Sequence, residues 1–193
     1  MPVRSVIIGL MVFSSFVFLW IFLPIVLIGA LVTRKKGSNY FLLSASLFFY
    51  AWGEPKYIVL LLASITMNYL AGLLITREIP EKTKKLLTAA AILLNLGLLG
   101  YFKYYNFFAG NLNAAFHKEL IPIRAIALPI GISFYTFQSI SYIVDLYRGT
   151  ISVQRSWFKL ALYISFFPQL MAGPITRFGD FGPQLADRQA NLD

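Results

Sequence analysis

One stretch of the sequence combines a membrane-like composition with side chains that could do chemistry. Residues 128–149 have the sequence LPIGISFYTFQSISYIVDLYRG, an apolar run with hydroxyl, amide and carboxyl groups. In a helix, Gln138, Ser141 and Asp145 share one face. Polar groups at membrane depth face a protein interior or a watery cavity, because hydrocarbon offers them no hydrogen bonds. This helix is therefore interpreted either as packing its polar face on a neighbour or as lining a chamber for a polar substrate.

Polar side chains at and after the end of this stretch allow a structural and a functional interpretation. Asp145 could form a helix-end ion pair with Arg148, or could orient a base or a substrate hydroxyl. Gln169, between two prolines, could cap the backbone of a broken helix or contact substrate. Arg177 could bind a phosphate or carboxylate through two parallel hydrogen bonds, or could simply mark the membrane boundary. The sequence alone leaves these alternatives open.

Several classes of active site are excluded by the residue types present. The chain has no cysteine, which excludes disulfides, thiolate metal sites and cysteine nucleophiles. Its single histidine, His117, excludes a histidine-cluster metal site and lies in a charged segment away from the polar helix. We therefore predict an ordinary surface histidine. Phosphate-binding loops, nucleophile elbows and HExxH motifs are absent, so no metal and no bound cofactor is predicted.

The overall composition indicates a membrane protein. Hydrophobic residues make up 58% of the 193 residues and charged residues only 13%. The formal net charge of +9 could suggest nucleic acid as a partner, but most Lys and Arg residues lie in short connectors between apolar runs. Charges in such connectors set membrane orientation and contact anionic lipid. The predicted partner is therefore the bilayer and not nucleic acid.

The hydrophobic pattern predicts one all-α, polytopic membrane domain over residues 1–193. Its apolar segments are 6–32, 40–52, 57–75, 86–101, 125–144 and 157–176. A perpendicular span needs about 20 residues, so 40–52 is short and is interpreted as one arm of a hairpin with 57–75. Pro168 and Pro174 argue against a straight helix in the last segment. A short interfacial helix is predicted within 109–124, and no closing element after Arg177.

Positive charges near the spans predict the orientation. The connectors 33–39 and 76–85 hold most of these charges, whereas the alternating sides hold only Arg4 and Lys56. The amino terminus is therefore predicted to be extracytoplasmic, with those two connectors in the cytoplasm. This assignment requires 40–52 to cross the bilayer fully.

Several sequence blocks resemble bacterial membrane-bound O-acyltransferases, in the alginate O-acetylase-like branch. These blocks are 11–15 with the following FLP, 46–57, 95–108, 128–149 and 166–181. They cover nearly the whole chain in order. The resemblance implies a multi-helix funnel in the bacterial inner membrane. Through it an acyl group, from acetyl-CoA or another acyl thioester, is passed to a hydroxyl acceptor on a polysaccharide, with partner proteins outside the membrane completing the transfer.

The resemblance also implies where the catalytic base should be found. The family's essential histidine lies in an apolar helix beyond the equivalent of Asp193, and His117 does not match it. The chain is therefore expected to be an amino-terminal portion without catalytic residues of its own and inactive alone. The candidates for lining or bracing the tunnel are Gln138, Ser141, Asp145, Arg148, Gln169 and Arg177. Half a funnel is also expected to leave Gln138 and Asp145 facing lipid unless a partner covers them.

The predicted function is thus O-acetylation of a cell-surface or exported polysaccharide such as alginate, by a protein of which this chain is part. The alternative is a non-catalytic membrane scaffold in a polysaccharide-modification complex. A small channel or transporter is a third interpretation, but the sequence shows no paired repeats or charge relay to support it.

Overall fold

The computed structural model describes residues 15–118, 120–174 and 176–186. These residues form eight helices and no strand, so the all-α prediction is confirmed. The helices are α1 (Phe18–Val32), α2 (Arg34–Gly53), α3 (Ile58–Ile75), α4 (Glu81–Phe116), α5 (Ile132–Arg148), α6 (Trp157–Ser165), α7 (Phe167–Ala172) and α8 (Phe178–Ala186). Within the described ranges, α3 and α4 are long and apolar enough to cross a membrane, and α1 is a shorter apolar helix.

The first two helices are joined more tightly than the sequence indicated. Thr33 alone separates α1 from α2, so residues 34–39 continue a 20-residue helix and do not form a connector. Lys and Arg are good helix formers, and a span of about 30 Å needs about 20 residues. The additional turns give α2 the length that the apolar run 40–52 lacks. Gly29 allows the Phe41 ring to pack directly against the backbone of α1, where a Cβ would collide with it.

Helix α4 is longer than its apolar run, and this corrects the prediction for residues 109–124. The helix begins at Glu81 and passes through a π-helical turn, Gly100–Tyr104, before it ends at Phe116. His117 then takes a left-handed conformation with φ of 49°. The predicted interfacial helix is therefore wrong, because 109–116 continue α4 and the described residues after it are not helical.

Helix α5 begins later than the apolar segment 125–144. Pro122 and Pro129 lack a backbone donor and disfavour helix at the residues before them, which explains the non-helical backbone of 120–131. Gly131, with φ of 73°, starts the helix at Ile132. Helix α5 then contacts α3, α4, α6 and α7, and is the element around which the described interior is built.

The last apolar segment is interrupted, as its prolines indicated. Helix α6 ends at Ser165, Phe166 is non-helical, and Pro168 lies in the first turn of α7. The prediction of no element after Arg177 is wrong for 178–186, which form α8. That helix is stable as a packed element because Phe178, Phe181 and Leu185 are buried on one side.

Candidate functional site

Gln138 links the central helix to the interrupted segment. Its side chain is 3% exposed, and its Nε2 donates to the backbone carbonyl of Tyr163 at 2.8 Å. The same nitrogen donates to Oε1 of Gln169 at 3.2 Å. The structure therefore brings together two of the predicted residues, one from α5 and one from α7.

The break between α6 and α7 explains why these contacts form. In a continuous helix the Tyr163 carbonyl would accept from the amide of Phe167. Here that amide instead points to Oγ of Ser46 on α2, at 3.4 Å, and Gln138 supplies the donor for the carbonyl. An unpaired backbone group is costly at membrane depth, so both side chains compensate for the break.

Asp145 is buried but lacks the predicted ion pair. The residue is 8% exposed, whereas Arg148 is exposed. Within the described ranges, no residue forms an ion pair or a hydrogen bond with the Asp145 carboxylate. Its carboxylate lies within electrostatic range of the Tyr163 hydroxyl. The ion-pair interpretation is therefore wrong, and Asp145 is a buried residue whose carboxylate has no hydrogen-bond or ion-pair partner among the described residues.

The other predicted residues lie nearer the surface. Ser141 and Gln169 are half-buried, and Arg177 is exposed just before α8. The Arg177 carbonyl accepts from the amides of Asp180 and Phe181, so its backbone starts that helix. The structure thus brings Gln138 and Gln169 into contact, buries Asp145 on the same helix as Gln138, and places neither arginine in this interior.

Sequence reasoning missed the tyrosines that complete this interior. Tyr163 is fully buried, and its hydroxyl donates to the Thr176 carbonyl at 2.9 Å. Tyr142 is fully buried too, and its hydroxyl accepts from the amide of Gln154 at 3.1 Å. Tyr135, Gln138, Tyr142 and Asp145 follow each other at three- and four-residue spacing, the period of one helix face. That spacing was a usable signal, because a phenol combines a buried ring with a polar tip.

Several buried hydroxyls in the described interior have no hydrogen-bond partner. They belong to Tyr50, Ser64, Tyr135, Thr136, Ser139 and Thr176. Three of the six are on α5, which makes this helix the most polar buried element. In the turn after α2, partial burial raises the pKa of the Glu54 carboxyl, which lies within electrostatic range of Tyr50.

Two open clefts in the described part of the chain lie away from Gln138. A cleft of about 380 Å³ is formed by residues 150–154 and by α8, where Gly179 and Gly182 leave room beside the chain. An apolar cleft of about 420 Å³ lies between α1 and α2. Among the described residues, no group of three or more His, Cys, Asp or Glu side chains could hold a metal ion.

Fold and interior together define a class: an all-α membrane protein whose central helix buries amide, hydroxyl and carboxyl groups. In water-soluble proteins such groups are ordinary, but inside a bilayer they are typical of sites that handle polar substrates. The fold alone does not specify which reaction is involved.

Comparison with known proteins specifies the relatives of this chain. It is 41% identical over 187 residues to a protein of Azotobacter vinelandii named probable alginate O-acetylase AlgI, covering 95% of this chain and 38% of that protein. A Pseudomonas syringae protein of the same name is 40% identical over 187 residues, covering 95% of this chain and 36% of the relative. A peptidoglycan O-acetyltransferase of Helicobacter pylori is 34% identical over 207 residues, covering 92% and 39%.

These matches confirm the resemblance that the sequence blocks indicated. Over at least 92% of its length the chain is homologous to segments of proteins named alginate O-acetylase and peptidoglycan O-acetyltransferase. It spans somewhat more than a third of the length of these curated relatives. No family model matches the chain, and no solved structure matches it.

Proposed function

We propose that this chain is part of a membrane-bound O-acyltransferase that acetylates hydroxyl groups of a cell-surface or exported polysaccharide such as alginate. The observation that carries the proposal is the similarity along 95% of the chain to proteins named alginate O-acetylase. A relative named for a second polysaccharide, peptidoglycan, shares the same reaction class. The proposal therefore specifies acetyl transfer to a glycan and leaves the glycan as alginate or a similar polymer.

The proposed reaction assigns roles to the interior of this chain. Acetyl-CoA or another acyl thioester is the proposed donor, on the cytoplasmic side of a bacterial inner membrane. The acceptor oxygen attacks the thioester carbonyl, its proton passes to a base, and the thiolate leaves. Gln138, Ser141, Asp145 and Gln169 are proposed to line or brace the passage along α5, with Arg148 and Arg177 at its exposed ends.

The base is proposed to be a histidine outside these 193 residues. His117 is exposed in the turn that ends α4, whereas Gln138 and Asp145 are buried on α5. A general base must come within hydrogen-bond reach of the proton that it removes. We therefore propose that extracytoplasmic partner proteins and further helices complete the site, and that the chain by itself does not transfer acetyl groups.

A graft into a relative tests this proposal. The present chain replaces the matching segment of the Azotobacter vinelandii protein, and the acetyl content of the alginate made by the cells is measured. Retained acetylation is expected, and Asp145→Asn within the graft is expected to reduce it at least tenfold. A graft that inserts into the membrane but yields unacetylated alginate would favour the scaffold alternative. Acetyl transfer by the ungrafted chain would contradict the proposed location of the base.

A further inference from the structure

An extended segment is tied to the far end of α4 by two asparagines. Oδ1 of Asn106 accepts from the amide of Arg124 at 3.0 Å, and its Nδ2 donates to the Arg124 carbonyl at 2.7 Å. Seven residues further on, Oδ1 of Asn113 accepts from the amides of Leu120 and Ile121, and Nδ2 donates to the Ile121 carbonyl. The two asparagine side chains thus pair with the backbone of this segment as a neighbouring β-strand would. These hydrogen bonds fix the position of the Arg124 backbone.

This end of α4 presents two cations on aromatic rings. The Arg124 guanidinium lies over the ring of Tyr105, 5.6 Å from its centroid, and the Lys103 ammonium lies 5.4 Å from the centroid of Tyr104. Both residues are exposed. In the described part of the chain, no carboxylate pairs with either cation. Among the described residues, the charged ends of both side chains thus contact aromatic rings and no acid.

The position of Lys103 along α4 gives the depth of this surface in the membrane. Residues 86–102 carry no charge and are bounded by Lys84 and Lys85 on one side and by Lys103 on the other. Seventeen helical residues rise about 26 Å, close to the hydrocarbon thickness of about 30 Å. Lys103 and the adjoining tyrosines therefore reach the headgroup layer of one leaflet. Tyr is enriched at this depth, and Lys side chains extend their charged ends into it.

We propose that Lys103 and Arg124 bind the phosphate of an anionic phospholipid headgroup. A guanidinium can donate two parallel hydrogen bonds to phosphate oxygens, and the Lys103 ammonium, held on the residue next to Tyr105, adds a second positive charge. The ring beneath each cation and the Asn106 clamp hold the donors in place, which lowers the entropy cost of binding. A lipid supplies the phosphate at the depth where these donors lie.

The surroundings favour a lipid over an acidic polysaccharide. Phe107 is 62% exposed, Phe108 is 59% exposed and Ile123 is 69% exposed, and all three lie within five residues of Lys103 or Arg124 in the sequence. Exposed apolar side chains at the membrane boundary are covered by lipid, whereas a hydrated glycan would leave them uncovered. This surface therefore fits a phospholipid better than a glycan.

The test is a binding measurement on the purified chain in detergent. Native mass spectrometry counts bound lipid with dioleoyl phosphatidylglycerol or dioleoyl phosphatidylcholine, for the wild type and for Lys103→Gln, Arg124→Gln and the double variant. Each single variant is expected to weaken phosphatidylglycerol binding about fivefold, since one cation near a membrane contributes about that much. The matched control is Lys82→Gln, an exposed lysine at the opposite end of α4, which is expected to bind as the wild type does.

Each result bears directly on the proposal. Unchanged phosphatidylglycerol binding by the double variant overturns it, as does an equal loss in the Lys82→Gln control, which would indicate non-specific attraction. Displacement of the lipid by an alginate oligosaccharide would assign the surface to glycan instead. Thermal unfolding in lipid-free detergent checks that the variants fold. Arg124→Lys is expected to keep part of the affinity, because lysine retains the positive charge but cannot donate two parallel hydrogen bonds to one phosphate.

Discussion

Gln138 shows how one side chain can make an interrupted helix tolerable in a membrane. The break at Phe166 frees the Tyr163 carbonyl, and Gln138 provides its donor while also binding Gln169. A single amide thereby holds three helices, α5, α6 and α7, in one arrangement. Residues that line a proposed passage need such bracing, because a loose site positions reactants poorly.

Substituting Gln138 by leucine should therefore cost stability. Gln138→Leu keeps a similar volume but leaves a buried carbonyl unpaired, and we expect the free energy of unfolding to fall by about 1–3 kcal/mol. Chemical denaturation of the purified chain in detergent measures this. Gln184→Leu, at an exposed position of α8, is the matched control and should change stability by no more than about 0.5 kcal/mol. Equal effects of the two changes would contradict the bracing role.

Two glycines with the same backbone conformation allow a paired test of close packing. Gly131 and Gly149 have φ of 73° and 70°, so alanine is strained at both by about 1–2 kcal/mol. At Gly131 a Cβ would also lie 2.9 Å from Cγ of Leu170, whereas at Gly149 no atom lies within 4 Å. Gly131→Ala should thus lower the melting temperature more than Gly149→Ala does. The reverse order would show that α5 and α7 do not meet at Gly131.

At the scale of elements, a reciprocal amide pair fastens α3 to α4. Nδ2 of Asn68 donates to Oδ1 of Asn95 at 3.1 Å, and Nδ2 of Asn95 donates to Oδ1 of Asn68 at 2.8 Å. Both residues are fully buried. In a bilayer, where the apolar faces of helices gain little from leaving lipid, such polar pairs contribute to helix association.

A double-mutant cycle measures this pair. Asn68→Leu and Asn95→Leu should each lower the free energy of unfolding by about 1–3 kcal/mol, because each leaves the buried amide oxygen of the other asparagine without a donor. The double variant should lose less than the sum, by about 0.6–1.7 kcal/mol. Asn111→Leu, on the exposed part of α4, should be nearly neutral. Strict additivity of the two buried changes would refute the pairing.

The elements also show which parts of the fold the sequence could predict. The apolar run 57–75 corresponds to α3 because its length and composition suffice to define a span. Hydropathy could not predict that α2 extends back to Arg34 or that α4 begins at Glu81, since charged residues are good helix formers. The start of α5 at Ile132 depends on Gly131 and on Pro129. Hydropathy alone places the start seven residues earlier, because residues 125–131 are also uncharged and mostly apolar.

For the whole molecule, the polar interior is covered more fully than the sequence indicated. Gln138 and Asp145 were expected to face lipid in half a funnel, yet they are 3% and 8% exposed. The expectation was wrong because α6, α7 and α8 fold back over α5, bringing Tyr163 and Phe178 against its polar face. Sequence spacing identified the face of α5 correctly, but its partners come from a segment whose path depends on the break at Phe166.

The membrane orientation of the whole chain is the broadest prediction, and the absence of cysteine makes it simple to test. Lys56 and Glu78 are exposed in the turns at the two ends of α3, whose 18 residues rise about 27 Å. With the basic connectors in the cytoplasm, Lys56→Cys should react with a membrane-impermeant maleimide in intact spheroplasts, and Glu78→Cys only after permeabilisation. The cysteine-free parent controls for background. Labelling of Glu78→Cys alone in intact cells would invert the orientation, and labelling of both would show that α3 does not cross the bilayer.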